Sequence, residues 1–163
     1  MKYYYTIMQS PVGGITLIAD DKSLCAIYWP NQKPEHKKFP DLQKDDNNKI
    51  LKSAQKQLIA YFKGKRTEFD LPLRPLGTIF QEQVWVALTS IGYGETVTYS
   101  DIANEIKNPK ALRAVGAAIG KNPISIIIPC HRVIGSNGKL TGFAGGLSTK
   151  EFLLNLENKA HGD

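Results

Sequence analysis

The segment Leu71-Pro72-Leu73-Arg74-Pro75-Leu76-Gly77 constrains the fold most, because neither a helix nor a central strand can run through its two prolines and closing glycine. The elements before it and after it must therefore form separate sets. On this reading residues 1–76 make an amino-terminal α/β domain and residues 77–163 a carboxy-terminal, mostly helical one. A length of 163 residues fits one domain or two small ones.

Ahead of the break, apolar residues alternate at Tyr3, Tyr5 and Ile7, at Ile15, Leu17 and Ala19, and at Leu24, Ala26 and Tyr28. With Gly13-Gly14 and Asp20-Asp21 as turns, this predicts a three-stranded antiparallel meander, with Cys25 as a packing residue of the third strand. The polar stretch from Pro30 to Asn48, including His36, reads as a solvated surface loop. Leu51, Ala54, Leu58 and Tyr61 or Phe62 then recur at helical spacing until Gly64, giving a helix that covers one face of the sheet.

Beyond the break, Thr78 and Gln81 have capping-box spacing ahead of a stripe of Phe80, Val84, Ala87, Leu88 and Ile91, with Phe80 and Trp85 as core residues. A short helix over Tyr99–Ile106 is broken at Asn108-Pro109, and a second helix runs from Ala111 to Lys121 with Leu112, Val115 and Ile119 on one face. Such a pair has the order of a helix-turn-helix, as any tight helical hairpin does. Ala111, Ala114, Gly116, Ala117, Ala118 and Gly120 make the second helix unusually small in bulk, so another helix or a nucleic-acid backbone approaches it closely. Arg113, in its middle, reads either as a surface arginine or as a side chain that projects into a duplex.

The apolar run Ile124 to Ile128, expected as a buried strand, ends in Pro129-Cys130-His131-Arg132-Val133. A thiol beside an imidazole pairs a nucleophile with a base, provided the backbone is irregular enough for adjacent side chains to cooperate, and Pro129 supplies that irregularity. The plainer alternative is an inert buried cysteine next to a hydrogen-bonded histidine. A loop punctuated by Gly135, Gly138, Gly142, Gly145 and Gly146 follows. Ser148 and Glu151 then have capping-box spacing before a final helix through Phe152, Leu153, Leu156 and Glu157. Glu157 fits a solvated surface charge or a carboxylate that returns to orient His131 in the manner of a triad. His161 falls in the terminal tail.

Charge and composition narrow the partners. A net charge of +6 and a pI near 9.3 favour polyanions, nucleic acid before acidic membrane. No apolar run approaches the roughly 18 residues of a membrane span, and the amino terminus lacks the pattern of a secretory signal. Cys25 and Cys130, the only two cysteines, fit free thiols in a reducing compartment, so the cytoplasm is expected, or the nucleus in a eukaryote.

Tyr99, Arg113-Ala114-Val115-Gly116, Asn122-Pro123, Ile128-Pro129-Cys130-His131-Arg132-Val133, Gly145-Gly146-Leu147 and Lys150-Glu151 together resemble the O6-alkylguanine-DNA alkyltransferase family. The resemblance is strong from Gly77 to Glu157 and loose before it, where it implies a ribonuclease-H-like α/β fold. It implies that Cys130 accepts the alkyl group, His131 is its water-bridged base, Glu157 completes the network and Asn122 braces the turn. Tyr99 would hydrogen-bond the guanine and help neutralise it as it leaves. Arg113 would fill the stack vacated by an extruded nucleotide, with Ala114, Ser100 and Tyr99 also on the DNA side. Ile119, the Val133 backbone, Phe143 and Ala144 would line the substrate pocket. Where the family often has tyrosine and serine this chain has Phe143 and Ala144, which removes a hydroxyl contact.

The implied reaction is repair of O6-alkylguanine in double-stranded DNA, with O4-alkylthymine as a second lesion to consider. The protein would act once per molecule, since a thioether is not hydrolysed, as a monomer or cooperatively along DNA, and without metal or cofactor. A non-reacting, alkyltransferase-like lesion binder and a cysteine hydrolase are the rival readings. The first normally lacks the acceptor cysteine that Cys130 supplies, and the second requires an oxyanion hole and repeated turnover.

Overall fold

The computed structural model describes the backbone of residues 1–162 and side chains through residue 159, so the tail residue His161 lies outside the described side chains. The chain divides into two compact units, Met1–Pro75 and Leu76–Asp163.

In the amino-terminal unit, β1 (Tyr4–Ser10), β2 (Gly13–Ala19) and β3 (Leu24–Tyr28) form the expected antiparallel meander, with Tyr4 opposite Ala19 and Thr16 opposite Tyr28. Gly13 turns the first hairpin at φ +105°, and a Cβ there would come within 2.9 Å of the Pro30 ring. The sheet is mixed rather than wholly antiparallel, because β4 (Gln43–Lys44) adds to β1 in parallel and gives the order β3-β2-β1-β4. A two-residue polar edge strand leaves no periodicity to read, which is why the segment looks like plain loop in the sequence. That segment is also anchored, since Phe39 is buried edge-on against Tyr3 and Tyr28.

The alternation along β1 locates the strand but not its buried face. Thr6 and Met8 point into the core while Ile7 is 52% exposed. On the core side lies α1 (Lys49–Phe62), capped by the Asn48 side chain and burying Leu51, Ala54, Leu58 and Tyr61. Gly64 ends it in the left-handed region at φ +72°.

The carboxy-terminal unit opens with α2 (Ile79–Leu88), whose capping box between Thr78 and Gln81 is formed in both directions. Trp85 donates its indole N–H to the Ala118 carbonyl at 2.8 Å, tying α2 to α4 (Leu112–Gly120). Between them, β5 (Val97–Thr98) runs directly into α3 (Tyr99–Glu105), which starts on a second reciprocal capping box from Thr98 and Asp101. Both α2 and α3 pack on α4.

Residues 124–128 are not a strand. Ile124, Ile126 and Ile128 are buried, but they form consecutive turns, with Ile126 at φ 75° and Ile128 N–H bonded back to the Ile124 carbonyl at 2.9 Å. An apolar run signals burial without specifying the backbone, and here the side chains are buried from a coiled path. A single 3₁₀ turn, Cys130–Arg132, follows and leads into β6 (Val133–Ile134). β5 and β6 pair in parallel, Val97 with Val133 and Thr98 with Ile134. This short ribbon fixes the start of α3 beside the end of the cysteine turn. The last helix, α5, spans Leu147–Gly162; it begins one residue before Ser148, so Ser148 sits in the first turn rather than at the cap.

Candidate active site

Pro129 ends the coiled segment and the chain tightens at once into the 3₁₀ turn, where Cys130 N–H bonds the Ile128 carbonyl at 2.8 Å and Arg132 N–H bonds the Pro129 carbonyl at 3.1 Å. Asn122 braces this path from two sides: its side-chain amide donates to the Ile128 carbonyl at 2.8 Å and its oxygen accepts from Ile124 N–H at 3.0 Å. The tight turn puts Cys130, His131 and Arg132 side by side, all buried.

His131 is fully buried, and its Nε2 lies 2.6 Å from Glu157 Oε2. Glu157, 1% exposed on α5, is the returning carboxylate rather than a solvated charge. Arg132 also grips it, through Nε to Oε1 at 2.7 Å and Nη2 to Oε2 at 3.1 Å, and sends Nη1 to the Ile91 carbonyl at 2.7 Å. Gly94 N–H adds a longer bond to Oε1 at 3.3 Å. Because Glu157 accepts at Nε2, the imidazole's other nitrogen is the basic one. That nitrogen, Nδ1, is buried and hydrogen-bonds no protein group.

Burial pushes the His131 pKa below its ordinary 6.5; the Glu157 carboxylate opposes this, and Arg132 and Lys150 reinforce it. The imidazole is therefore held neutral. Burial pushes the Cys130 thiol above its ordinary 9.0, countered in part by hydrogen bonding from Asn122 and Ser125 and by the charge of Lys150. A thiol on the same turn as a neutral imidazole nitrogen that bonds no protein group can pass its proton there through a bridging water.

The sequence marks Lys150 only as part of the Lys150-Glu151 motif and assigns it no role. It is 1% exposed, donates to the Val133 carbonyl at 2.7 Å, and reaches the carbonyl and hydroxyl of Thr141 at 3.4 Å. Thr141 in turn shares a short hydrogen bond with the Tyr99 hydroxyl. Lys150, Leu153 and Glu157 follow one another at i, i+3 and i+7, all buried, so a two-turn face of α5 carrying a lysine and a glutamate was the available signal.

The remaining expected residues divide by exposure. Ile119 and Val133 are buried, and Val133 carries the carbonyl that Lys150 holds. Arg113 and Ala114 are exposed on α4 and Ser100 is exposed on α3, while Tyr99 packs its ring over Gly116, whose Cβ position is 3.9 Å away. Thr98, Tyr99, Ser100, Leu112, Arg113 and Ser136 line one shallow depression between α3 and α4. Phe143 is half-buried and Ala144 exposed in the loop before α5.

Comparison with known proteins agrees along the whole chain. The DNA-binding domain of 6-O-methylguanine DNA methyltransferase matches residues 79–159, and that enzyme's ribonuclease-like domain matches residues 3–75. A methylated-DNA–protein-cysteine methyltransferase of Methanosarcina acetivorans is 52% identical over 154 residues, covering 94% of this chain and 97% of that protein. The crystal structure of Mycobacterium tuberculosis O6-methylguanine methyltransferase superposes with a TM-score of 0.89 at 45% identity, covering 97% of this chain and 94% of that one. A structure of the M. tuberculosis protein in complex with DNA superposes equally well, with a TM-score of 0.89 at 44% identity, covering 98% and 94% of the two chains.

Replacing Glu157 by Gln keeps the shape but leaves the Arg132 guanidinium buried without a counter-charge. Removing one partner of a buried pair costs about 3–5 kcal/mol, so the urea midpoint should fall steeply, and a midpoint within error of the parent would show that the pair does not hold the turn.

Proposed function

The chain belongs to the 6-O-methylguanine DNA methyltransferase family, and from that membership we propose that Cys130 is the alkyl acceptor and O6-alkylguanine in duplex DNA the lesion. The activity is that of a methylated-DNA–protein-cysteine methyltransferase: DNA repair by direct transfer of an alkyl group to the protein. One observation carries the assignment of residues. Cys130 and the partnerless Nδ1 of His131 share a buried turn that Asn122, Arg132, Glu157 and Lys150 hold from different sides.

The chemistry asks little more than this. As the Cys130 sulfur attacks the saturated carbon, its proton passes through one water to His131 Nδ1, while the bond from that carbon to the purine oxygen breaks. Glu157 stabilises the imidazolium that forms. The departing purine gains a proton in compensation; in this reading the Tyr99 hydroxyl delivers it, supported by its hydrogen bond to Thr141, which Lys150 also reaches. The thioether has no leaving group, so each molecule acts once.

Access to the lesion calls for an extruded nucleotide, at a cost of a few kcal/mol that damaged pairs lower. In this reading α3 and α4 serve as a helix-turn-helix, with Ser100, Arg113 and Ala114 on the DNA and Arg113 filling the vacated stack. Ile119, the Val133 backbone, Phe143 and Ala144 line the base pocket, and the protein acts as a monomer. The absence of hydroxyls at Phe143 and Ala144 leaves backbone groups as the polar contacts those two positions can offer.

Intact-mass analysis after incubation with excess duplex carrying one O6-methylguanine tests this directly. Each molecule should gain one methyl group and no more, the gain should map to the Cys130 peptide, and Cys130→Ala should gain nothing. Repeated turnover on a small ester or amide would instead identify a hydrolase.

The pH profile follows from the two shifts. His131 titrates below 6.5 and Cys130 above 9.0, so transfer from the free alkylated base should be flat between those values and fall only on the acid side, as His131 protonates. Without the imidazole, in His131→Gln, the rate should climb with pH as thiolate accumulates. A climbing profile in the parent protein would remove His131 from the proton path.

Arg113→Ala should slow repair of duplex by at least about 10-fold, given the few kcal/mol at stake in extrusion, and leave reaction with the free alkylated base unchanged. Equal slowing of both would refute the stacking role.

A further inference from the structure

The two units carry very different charge. Met1–Pro75 contains thirteen Lys and Arg against eight Asp and Glu, a net +5, whereas Leu76–Asp163 contains eight against seven, a net +1. Two cations of the second unit, Arg132 and Lys150, are buried in the active site and unavailable to any external polyanion. The unit that matches a DNA-binding domain thus has an almost neutral surface, and the chain's excess positive charge lies in the other.

Within the amino-terminal unit the charge is concentrated. Between Asp46 and Glu68 there is no acidic residue and there are six cations: Lys49, Lys52, Lys56, Lys63, Lys65 and Arg66. Lys49, Lys52, Lys56 and Lys63 fall at i, i+3, i+7 and i+14, along the solvent face of α1 and its C-cap, and all four are exposed. Among the described residues no carboxylate pairs with any of the six. Arg66 is pinned by its Nε to the Glu68 carbonyl at 2.6 Å.

This arrangement works against the helix. Like charges three and four residues apart repel, and cations in the first turn oppose the helix dipole where an acidic residue would favour it. The opposite face of α1 is fixed on the sheet by Leu51, Ala54, Leu58 and Tyr61, so the cationic face is held rigidly outward. An unneutralised, rigid, one-signed ridge is the electrostatic footprint of a phosphate backbone.

We propose that the Lys49–Lys52–Lys56–Lys63 face of α1 is a second DNA-binding surface, which engages backbone phosphates and supplies much of the sequence-independent affinity for duplex DNA. It rests on the reading that this chain acts on DNA, and it assigns to the amino-terminal unit a role in binding beyond packing. Lys65 and Arg66 extend the same surface past the helix end.

The test is a triple variant, Lys52→Gln/Lys56→Gln/Lys63→Gln, compared with the parent and with Lys52→Arg/Lys56→Arg/Lys63→Arg in duplex binding across a potassium chloride series. Each lost phosphate contact should flatten the slope of log K against log salt by about 0.9, so the glutamine variant should lose roughly 2–3 from its slope and bind more weakly at low salt. The arginine variant should match the parent. Methyl transfer from the free alkylated base should be unchanged in both, which excludes misfolding as the cause. A glutamine variant with the parent's slope overturns the proposal while leaving the repair activity standing, as does loss of binding to anionic phosphatidylserine vesicles with DNA binding intact. A parent protein that binds no duplex at all removes the underlying reading and this inference together.

Discussion

Everything at the active site depends on one buried carboxylate with two claimants. Glu157 is almost wholly removed from water, and a lone carboxylate there would be neutralised by taking up a proton. The Arg132 guanidinium prevents that, because it supplies a permanent charge in a two-pronged contact. With the counter-charge provided by arginine, His131 need not be protonated to satisfy Glu157. It can donate a neutral N–H and keep its other nitrogen basic. Had the histidine been the sole partner, the ion pair would have favoured imidazolium and cost the site its base.

The same helix holds the other side of the reaction centre. Lys150 and Glu157 lie seven residues apart on α5, about 10 Å along the axis, so one rigid rod places a cation toward the sulfur and an anion behind the imidazole. With Cys130 as a thiol, the buried groups Arg132, Lys150 and Glu157 carry an excess positive charge, which favours development of the thiolate. Burial alone pushes the thiol the wrong way for reactivity. The site opposes that shift with a fixed local field from Asn122, Ser125 and Lys150 rather than with exposure.

Much of this was legible in the sequence where side-chain period and backbone chemistry agree. The stripe Leu51, Ala54, Leu58, Tyr61 and the Thr78–Gln81 box fixed two helices, and Pro129-Cys130-His131 marked the irregular, buried turn. The reading failed where one signal stood for two properties. Ile124 to Ile128 announced burial, and the backbone proved to be coiled with a positive φ at Ile126. Tyr5 and Ile7 announced a strand, yet Thr6 and Met8 hold its inner face, because Thr6 satisfies its hydroxyl on Asp46 at 2.8 Å and so tolerates burial. Lys150 was missed because lysine is the residue least expected inside. Its place in the Lys150-Glu151 motif and its helical register with Leu153 and Glu157 were the available signs, and its partners Val133 and Thr141 come together only in the folded chain.

The division of charge between the units follows from what each has to do. Net charge next to a buried titrating cluster shifts every member of it, so a strongly basic shell around Cys130 would lower the imidazole and thiol pKa together and also hold stray anions over the site. A nearly neutral carboxy-terminal surface leaves the internal set of Arg132, Lys150, Glu157 and His131 to define the field at the sulfur. Under the proposal, attraction for a polyanion is carried by a ridge of lysines on α1, in the other unit. On such a scheme affinity and reactivity answer to different residues, and salt, which screens exposed charge within about 10 Å, weakens the first while leaving the second nearly intact.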